Sequence, residues 1–265
     1  MLASAAGIDA EIVMTEAAGH APELARGFVA RGFDLVLAWG GDGTVNEVGG
    51  ALVGTPTALG IIPSGSGDGL ARGLRVPADA RAAFAAAIRG PAQPLDVGFL
   101  GDRHFLNAAG VGFDAAMALA FNQRTQRGGL GYVSVGVSLA FGYAPVHYRL
   151  QLDNDVTEQP RFLVAFANGR DYGNGMVIAP DADPRDGWLD AVIVHDGSVL
   201  KQLWRARRLA WSPAKPTPGV ERRRVKTASI TAETLVCHVD GEAFETTGTI
   251  DVRIVPAAIR LSGAG

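Results

Sequence analysis

Residues 34–48 read DLVLAWGGDGTVNEV, and this stretch decides the fold class. Residues 34–39 form an almost continuous apolar run, which is typical of a strand covered on both faces in a parallel sheet. The glycine turn GGDGT follows directly, and residues 45–53 have a helical pattern. A buried strand, a glycine turn and a helix in this order predict one unit of an α/β domain.

A second unit of the same kind follows the first. Residues 57–62 form another apolar strand, the glycine-rich turn PSGSGDG occupies residues 63–69, and helical residues continue to about position 74. The other elements predicted in this part are helices over 22–31 and 78–88 and a short strand over 10–14. Strands that alternate with helices predict an α/β domain over residues 1–92, short at its N-terminal end.

The character of the sequence changes near residue 92. Short β-rich segments, separated by Gly, Pro and Asp turns, predict a mainly antiparallel domain over 93–265. These segments lie at 104–107, 147–152, 161–167, 189–195, 229–231 and 235–239. Helices are predicted around 114–122 and 199–211, and the last residues are expected to return to the first domain.

The composition limits the classes of function. Of the 265 residues, 48% are hydrophobic and 19% are charged, as in an ordinary folded protein. The formal net charge is −3, so the chain lacks the overall basic charge of many nucleic-acid binders, and nucleic acid is not an expected partner. Cys237 is the only cysteine, which excludes a disulfide scaffold and a cysteine-rich zinc site and fits a reducing, cytoplasmic compartment.

The two glycine turns are candidates for binding a phosphate. Both follow neighbouring strands of the predicted sheet, and ligands of open α/β sheets bind at the carboxyl ends of strands. Glycine has no Cβ, so a phosphate can approach the backbone, and the following helix directs free N–H groups at the anion. Thr44 is the predicted N-cap of that helix, with Glu47 completing a capping box. A tight strand-to-helix turn without a ligand is the alternative.

Other phosphate-binding patterns are absent from the sequence. Neither turn has the G-x-G-x-x-G spacing of dinucleotide sites, and no G-x-x-x-x-G-K-[ST] motif occurs. The only lysines are Lys201, Lys215 and Lys226. A phosphate bound by the first two hundred residues must therefore contact backbone amides, hydroxyls or arginine, and Arg72 is one candidate.

Five motifs in a fixed order carry a resemblance to a known family. They are GGDGTVNEV (40–48), PSGSGDGLARGL (63–74), FLNAAGVGFDA (105–115), FANGRDYGNGMVIAPDADPRDGWLD (166–190) and HVDGEAF (238–244). Together they resemble the catalytic domain of the diacylglycerol kinase and sphingosine kinase family of lipid kinases. The resemblance implies an α/β nucleotide-binding domain of the NAD kinase/diacylglycerol kinase type joined to an antiparallel β-sandwich, with ATP between them and a lipid in a cleft.

The resemblance also implies roles for individual residues. The expected nucleotide contacts are Thr15, Gly40, Gly41, Asp42, Gly43, Thr44, Asn46, Glu47, Gly65, Ser66 and Gly67. Phosphoryl transfer normally needs Mg²⁺ held by oxygen ligands, and Asp42 is the natural candidate to position it. A secondary magnesium loop is expected at Asp183, Asp186 and Trp188, with the Asp186 carboxylate and the backbone carbonyls of Asp183 and Trp188 as ligands. An Asp-rich turn is the alternative. The Asp-Gly-Glu of residues 240–242 would hold the proton acceptor, and the sequence does not separate Asp240 from Glu242.

Two features depart from the pattern of this family. Its members usually open with a strand and an Asn-Pro-x-x-Gly-like turn before the segment seen here, so the nucleotide site is expected to lack one wall. Asp68 and Gly69 stand where bacterial members commonly have Asn-Asp. This change is expected to alter how the loop handles the nucleotide.

Residues 200–226 form a candidate membrane-facing surface. Nine basic residues lie between 201 and 226, where Glu221 is the only acid. Leu200, Leu203, Trp204 and Trp211 recur at helical offsets, so a helix here could lie on an anionic leaflet. A core-packed helix with a solvated charged face is the alternative. No stretch resembles a membrane-spanning helix, so we expect a cytoplasmic protein, peripheral at the inner membrane face.

The predicted function is an ATP- and Mg²⁺-dependent kinase that phosphorylates a hydroxyl of a diacylglycerol-like or sphingoid lipid. NAD kinases share a GGDG turn, but Asn46-Glu47 and the late Asp-Gly-Glu favour a lipid kinase. Phosphofructokinases also have such a turn, and the β-rich second half argues against them. A non-catalytic lipid-binding homologue is the third hypothesis, and homodimerisation is left open.

Overall fold

The N-terminal part of the chain alternates strands and helices around a parallel pair of strands. The computed structural model describes residues 7–17, 19–122, 139, 142–173, 176–211 and 214–265. The first elements are α1 (His20–Ala30), β1 (Leu35–Gly40), α2 (Asp42–Leu52), β2 (Ala58–Pro63), α3 (Gly69–Gly73) and α4 (Ala80–Arg89). Strands β1 and β2 are parallel neighbours, with Leu35 opposite Ala58 and Gly40 opposite Pro63. The predicted α/β part is confirmed.

The rest of the chain is dominated by antiparallel strands, as predicted. These are β3 (Gln93–Leu100), β4 (Arg103–Phe105), β5 (Ala108–Gly112), β6 (Val146–Leu152), β7 (Asp155–Ala167), β8 (Asp171–Gly173), β9 (Met176–Val177), β10 (Leu189–His195), β11 (Val220–Val225), β12 (Thr227–Val239) and β13 (Glu242–Ser262). Among the described residues, the helices α5 (Phe113–Asn122) and α6 (Val199–Trp211) lie between these strands near the predicted positions.

Strand β13 joins the two parts of the chain in one sheet. It pairs antiparallel with β12 and β3, and its last residues pair parallel with β2, where Arg260 lies opposite Ala58. The main path of the sheet is β1-β2-β13-β12-β5-β7-β10-β11. Because β13 bonds to strands on both sides of residue 92, the division into domains 1–92 and 93–265 stays a prediction.

The two larger apolar clusters of the described residues lie along this sheet. The first packs α2 against β1, β2 and β3 and includes Leu52, Leu59 and Leu95. The second lies among β5, β7, β10 and β12 and includes Phe166 and Cys237, both fully buried. No helix in the described part of the chain is long and apolar enough to cross a bilayer.

Two local predictions are wrong. Residues 10–14 form no strand, because a strand needs a hydrogen-bonding neighbour and this segment pairs with none of the described strands. Helix α2 begins at Asp42 after Gly41 as N-cap, with no capping side chain, so the capping box of Thr44 is wrong. The reason is steric: the Thr44 side chain packs back on Gly40, where a Cβ would lie 2.6 Å from it.

Candidate functional site

The two glycine turns lie back to back at the carboxyl ends of β1 and β2. A Cβ built on Gly65 would lie 2.7 Å from the Gly41 Cα, closer than real Cβ atoms approach. The backbone also bonds across the pair, since the Ser64 N–H donates to the Gly40 carbonyl at 3.0 Å. Where Gly41 and Gly65 face each other there is no room for a side chain, so the two turns pack backbone against backbone.

A cleft of about 360 Å³ opens between the two turns. Seven of the predicted nucleotide contacts line it: Gly41, Asp42, Gly43, Thr44, Gly65, Ser66 and Gly67. The first turn of α2 begins at this cleft and directs backbone N–H groups towards it. The arrangement suits a polyanion held by backbone amides and a hydroxyl.

Four other predicted nucleotide contacts do not line the cleft. Thr15 is exposed in the irregular segment before α1. Gly40 packs against the Thr44 side chain beneath the turn. Glu47 accepts a hydrogen bond from the Gly19 N–H at 3.1 Å, and Asn46 donates to Asp240. A role for these four in nucleotide binding stays a prediction.

Asp42 connects the first glycine turn to the second. Its two carboxylate oxygens accept hydrogen bonds from the Gly69 and Leu70 N–H groups, at 3.3 and 3.4 Å, at the start of α3. Burial raises the pKa of Asp42, and the nearby carboxylates of Asp240 and Asp68 raise it further. The two backbone hydrogen bonds oppose this shift without cancelling it.

Asp68 and Arg72 shape the second glycine turn. Asp68 lies in the left-handed region, at φ 45°, and its side chain accepts from the Gly65 N–H at 3.0 Å. The Arg72 guanidinium donates to the Gly67 carbonyl, which places a positive charge beside the cleft. The departure at Asp68 therefore closes the turn on itself, and Arg72 supplies charge where no lysine is available.

Asp240 is saturated by hydrogen bonds. One carboxylate oxygen accepts from the Asn46 side chain and from the Leu106 N–H, both at 2.8 Å. The other accepts from the N–H groups of Asn107 and Ala108, at 3.0 and 2.9 Å. Asp240 thus connects α2 and the segment before β5 to the end of β12.

Glu242 differs from Asp240 in both exposure and environment. It is exposed at the start of β13, and its Oε1 lies 3.9 Å from a Cβ built on Gly43. Its carboxylate therefore stands beside the first turn of α2, at the edge of the cleft. Of the two acids in the Asp-Gly-Glu motif, Glu242 is the more exposed.

The carboxylates of the predicted magnesium loop are hydrogen-bonded or ion-paired to other groups of the protein. Asp183 accepts from the Arg185 N–H at 3.2 Å, and Asp186 accepts from the Trp188 N–H at 3.0 Å and pairs with the Arg224 guanidinium. The described residues contain no group of three His, Cys, Asp or Glu side chains that could hold a metal. Asp186 as it stands does not fit a metal, because a cation would have to displace Arg224.

Asp96 is a buried acid that the sequence analysis missed. Its carboxylate accepts from the Gly187 N–H at 2.6 Å and from the Ala257 N–H at 2.7 Å, joining the 183–188 loop to β13. A charged residue inside the apolar segment 95–100 was the available signal.

A second buried polar group lies under β5 and β12. Tyr172 donates to Asp114 at 2.5 Å, and the His238 Nε2 lies 2.8 Å from the Tyr172 hydroxyl. Asp114 and His238 are both buried. Gly110 leaves the space for this group, because a Cβ there would lie 2.5 Å from the Asp114 carboxylate.

Comparisons with known proteins place the chain in a family. Residues 1–100 match the family described as diacylglycerol kinase catalytic domain, and residues 107–263 match the one described as YegS C-terminal NAD kinase beta sandwich-like domain. A Chromohalobacter salexigens protein named probable lipid kinase YegS-like is 36% identical over 75% of this chain and 66% of its own length. A Mycobacterium tuberculosis protein named diacylglycerol kinase is 30% identical over 96% of this chain and 85% of its own length.

A solved structure shows the same fold. The crystal structure of a protein named diacylglycerol kinase, from Bacillus anthracis str. Sterne, superposes with a TM-score of 0.76. The alignment covers 97% of this chain and 86% of that one, at 22% sequence identity. With the two family matches and the 30% identity over most of the Mycobacterium relative, this assigns the chain to the diacylglycerol kinase type of bacterial lipid kinase family.

Proposed function

We propose that this chain is an ATP-dependent lipid kinase that transfers the γ-phosphate to a hydroxyl of a diacylglycerol-like lipid. The observation that carries the proposal is the position of Glu242, an exposed carboxylate beside a cleft lined by two glycine turns. The relatives named diacylglycerol kinase and lipid kinase support a lipid acceptor. A sphingoid lipid is the second acceptor class.

The cleft is the proposed site for the ATP phosphates. The first turn of α2 offers free N–H groups and a positive dipole end, and Ser66 offers a hydroxyl. Arg72 adds a charge that compensates for the absence of lysine. When bound, Mg²⁺ would neutralise part of the phosphate charge, and the Asp42 carboxylate is the oxygen ligand that this cleft presents to it. The Asp186 carboxylate has no assigned step, because it is paired with Arg224.

Glu242 is the proposed proton acceptor. A lipid hydroxyl is a poor nucleophile until a base removes its proton in the transition state, and that base must be within hydrogen-bond reach. The Asp240 carboxylate is occupied by four N–H donors, whereas the Glu242 carboxylate is exposed beside Gly43. Asp240 is therefore proposed as a positioning residue, which fixes Asn46 of α2 relative to the turn that carries Glu242.

A phosphorylation assay tests this proposal. The purified chain is incubated with γ-labelled ATP and Mg²⁺ and with separate micelles of diacylglycerol, sphingosine, ceramide and phosphatidylglycerol, and with NAD. We expect label in diacylglycerol, and a loss of about a hundredfold or more in Glu242→Gln, since a general base typically contributes 10²–10⁴-fold. Glu245→Gln is the matched control, because Glu245 is an exposed glutamate three residues further along β13.

The outcomes separate the rival functions. Label in NAD would replace the lipid kinase with the NAD kinase alternative. Full activity of Glu242→Gln would refute the assignment of the base while leaving the kinase in place. Absence of label in every acceptor, together with no rise in melting temperature when Mg·ATP is added, would favour a non-catalytic lipid-binding protein.

A further inference from the structure

Helix α6 turns its polar side inwards and its large apolar side chains outwards. Gln202 and Arg205 are buried, and so is Leu209. By contrast, Leu200 is 77% exposed and Trp204, one turn further along, is 46% exposed. Leu200 and Trp204 of the predicted apolar stripe therefore do not pack on the protein, and the alternative of a core-packed stripe does not hold for this pair.

The buried arginine explains this orientation. Arg205 donates to the His195 carbonyl at 2.7 Å, to the Pro218 carbonyl at 3.0 Å and to the Gln202 side chain at 3.1 Å. Its guanidinium fills the space beside Gly219, where a Cβ would overlap it. These bonds fix the rotation of α6 about its axis, so Leu200 and Trp204 remain directed at solvent.

The surface around this pair is basic. Lys201 and Arg207 are exposed on α6, and the Arg208 guanidinium lies 5.5 Å from the centre of the Trp204 ring. Lys215 is exposed in the following loop, and no acid occurs between residues 197 and 220. The bounding acids are Asp196 and Glu221, and Glu221 is paired with Arg223.

Other basic residues of the predicted 200–226 surface have partners within the protein. Arg223 pairs with Asp155 as well as with Glu221. Arg224 pairs with Asp186, and Lys226 lies over the Trp188 ring at 4.7 Å. Arg208 also has a partner, because its guanidinium donates to the Pro216 carbonyl at 3.1 Å. Among the described residues of this surface, α6 and the loop after it combine exposed apolar side chains with the exposed cations Lys201, Arg207 and Lys215. The side chain of Trp211, which the sequence analysis included, lies outside the described residues.

We infer that the exposed face of α6, formed by Leu200, Lys201, Trp204 and Arg207, docks on an anionic lipid bilayer. A short helix with aromatic and aliphatic side chains beside cations is the kind that lies in the headgroup region, where Trp is stable and each cation is attracted to anionic lipid. The inference goes beyond the proposed reaction, because docking requires neither ATP nor a lipid acceptor.

A second copy of this chain fits the same face less well. In a two-fold dimer, each patch would meet itself, so Lys201 and Arg207 would lie against the same cations of the partner. Like charges across an interface are unfavourable, whereas anionic headgroups complement them. Charge complementarity therefore favours an anionic bilayer over a second copy of the chain as the partner of this face. The experiment below also detects self-association.

Vesicle sedimentation of the full chain tests the inference, without ATP or diacylglycerol. Vesicles of phosphatidylcholine alone are compared with vesicles that also contain phosphatidylglycerol. We expect binding to the anionic vesicles only, weakened by about 0.5 M salt. The double variant Leu200→Ala/Trp204→Ala should lower the partition coefficient by on the order of tenfold, since it removes two apolar groups from the interface. Lys201→Gln should lower it about fivefold, the value of one cation near an anionic surface.

Matched controls keep the test specific. Val156→Ala removes an apolar side chain that is 48% exposed on β7, and Arg26→Gln removes an exposed cation of α1. Both should bind like the parent chain, and all variants should keep its melting temperature. Equal binding to neutral and anionic vesicles, or unchanged binding of the double variant, would overturn the inference. So would a dimer in solution that the double variant dissociates, because that would make α6 a subunit interface.

Discussion

Replacing Asp240 by Asn tests whether this residue is an anchor or a base. The carboxylate accepts four N–H donors, two at each oxygen. An amide keeps one oxygen and directs an NH₂ group at the other two donors. If that NH₂ faces Asn46, the Asn46 amide can rotate to accept from it, but the Leu106 N–H is still left without an acceptor. Asn tolerates the left-handed backbone at φ 47°, so strain does not confuse the result.

The magnitude follows from these bonds. One buried N–H without an acceptor costs about 1–3 kcal/mol, and the remaining bonds lose the extra strength of charged acceptors. We therefore expect Asp240→Asn to lower the free energy of unfolding by about 2–4 kcal/mol, measured by urea denaturation. Glu242→Gln should lower it by less than about 0.5 kcal/mol, because Glu242 is exposed.

Activity and stability, measured together, distinguish an anchor from a base. If Asp240 only positions its neighbours, we expect Asp240→Asn to be destabilised and to keep more activity than Glu242→Gln. It also predicts that Asn46→Ala and Asp240→Asn are not additive in stability, since the two side chains share a hydrogen bond. If Asp240→Asn is as stable as the parent chain and has lost all phosphoryl transfer, the reasoning is refuted and Asp240 is the base.

Three further predictions concern the cleft and the 183–188 loop. Burial raises the pKa of Asp42, so the folded state holds this proton more tightly than the unfolded chain. The free energy of unfolding therefore falls as pH rises from the ordinary carboxyl pKa through the raised value. Asp42→Asn should remove this fall, measured by unfolding at several pH values, and should abolish activity. Gly65→Ala should lower the free energy of unfolding by about 1–3 kcal/mol and abolish the rise in melting temperature on adding Mg·ATP. Gly27→Ala is the control: a Cβ there meets open space, so this change should be neutral or stabilising. Arg224→Gln frees Asp186, so Mg²⁺ should raise the melting temperature of the variant more than that of the parent chain.

The glycine turns were predictable because their signal is local. An apolar run followed by GGDG specifies a strand and a turn within a short stretch of sequence, and the structure brings Gly41 against Gly65 as adjacent parallel strands require. The start of α2 differs from the prediction, because the contact between Thr44 and Gly40 decides it. That contact depends on the shape of the turn and leaves no mark in capping preferences.

The different environments of Asp240 and Glu242 were not predictable, because the groups around them are remote in sequence. The donors to Asp240 come from Asn46 and from residues 106–108, and only the folded sheet places them together. The rotation of α6 depends in the same way on Arg205, whose acceptors include carbonyls outside the helix. An amphipathic pattern shows that a helix has an apolar side, but not whether that side meets the protein or its surroundings.

The long strand β13 explains how the site is held together. It begins with Glu242 beside the first turn of α2 and ends with Ser262 opposite Gly60 of β2, the strand that leads into the second glycine turn. Gly248 and Pro256 interrupt its sequence pattern, so sequence analysis found no strand there, yet the pairing continues past both positions. The start of β13 therefore carries the proposed base, and its end pairs with the strand that leads into the proposed phosphate site. A substitution that loosens either end of β13 should disturb the approach of Glu242 to the cleft, even where it touches neither substrate.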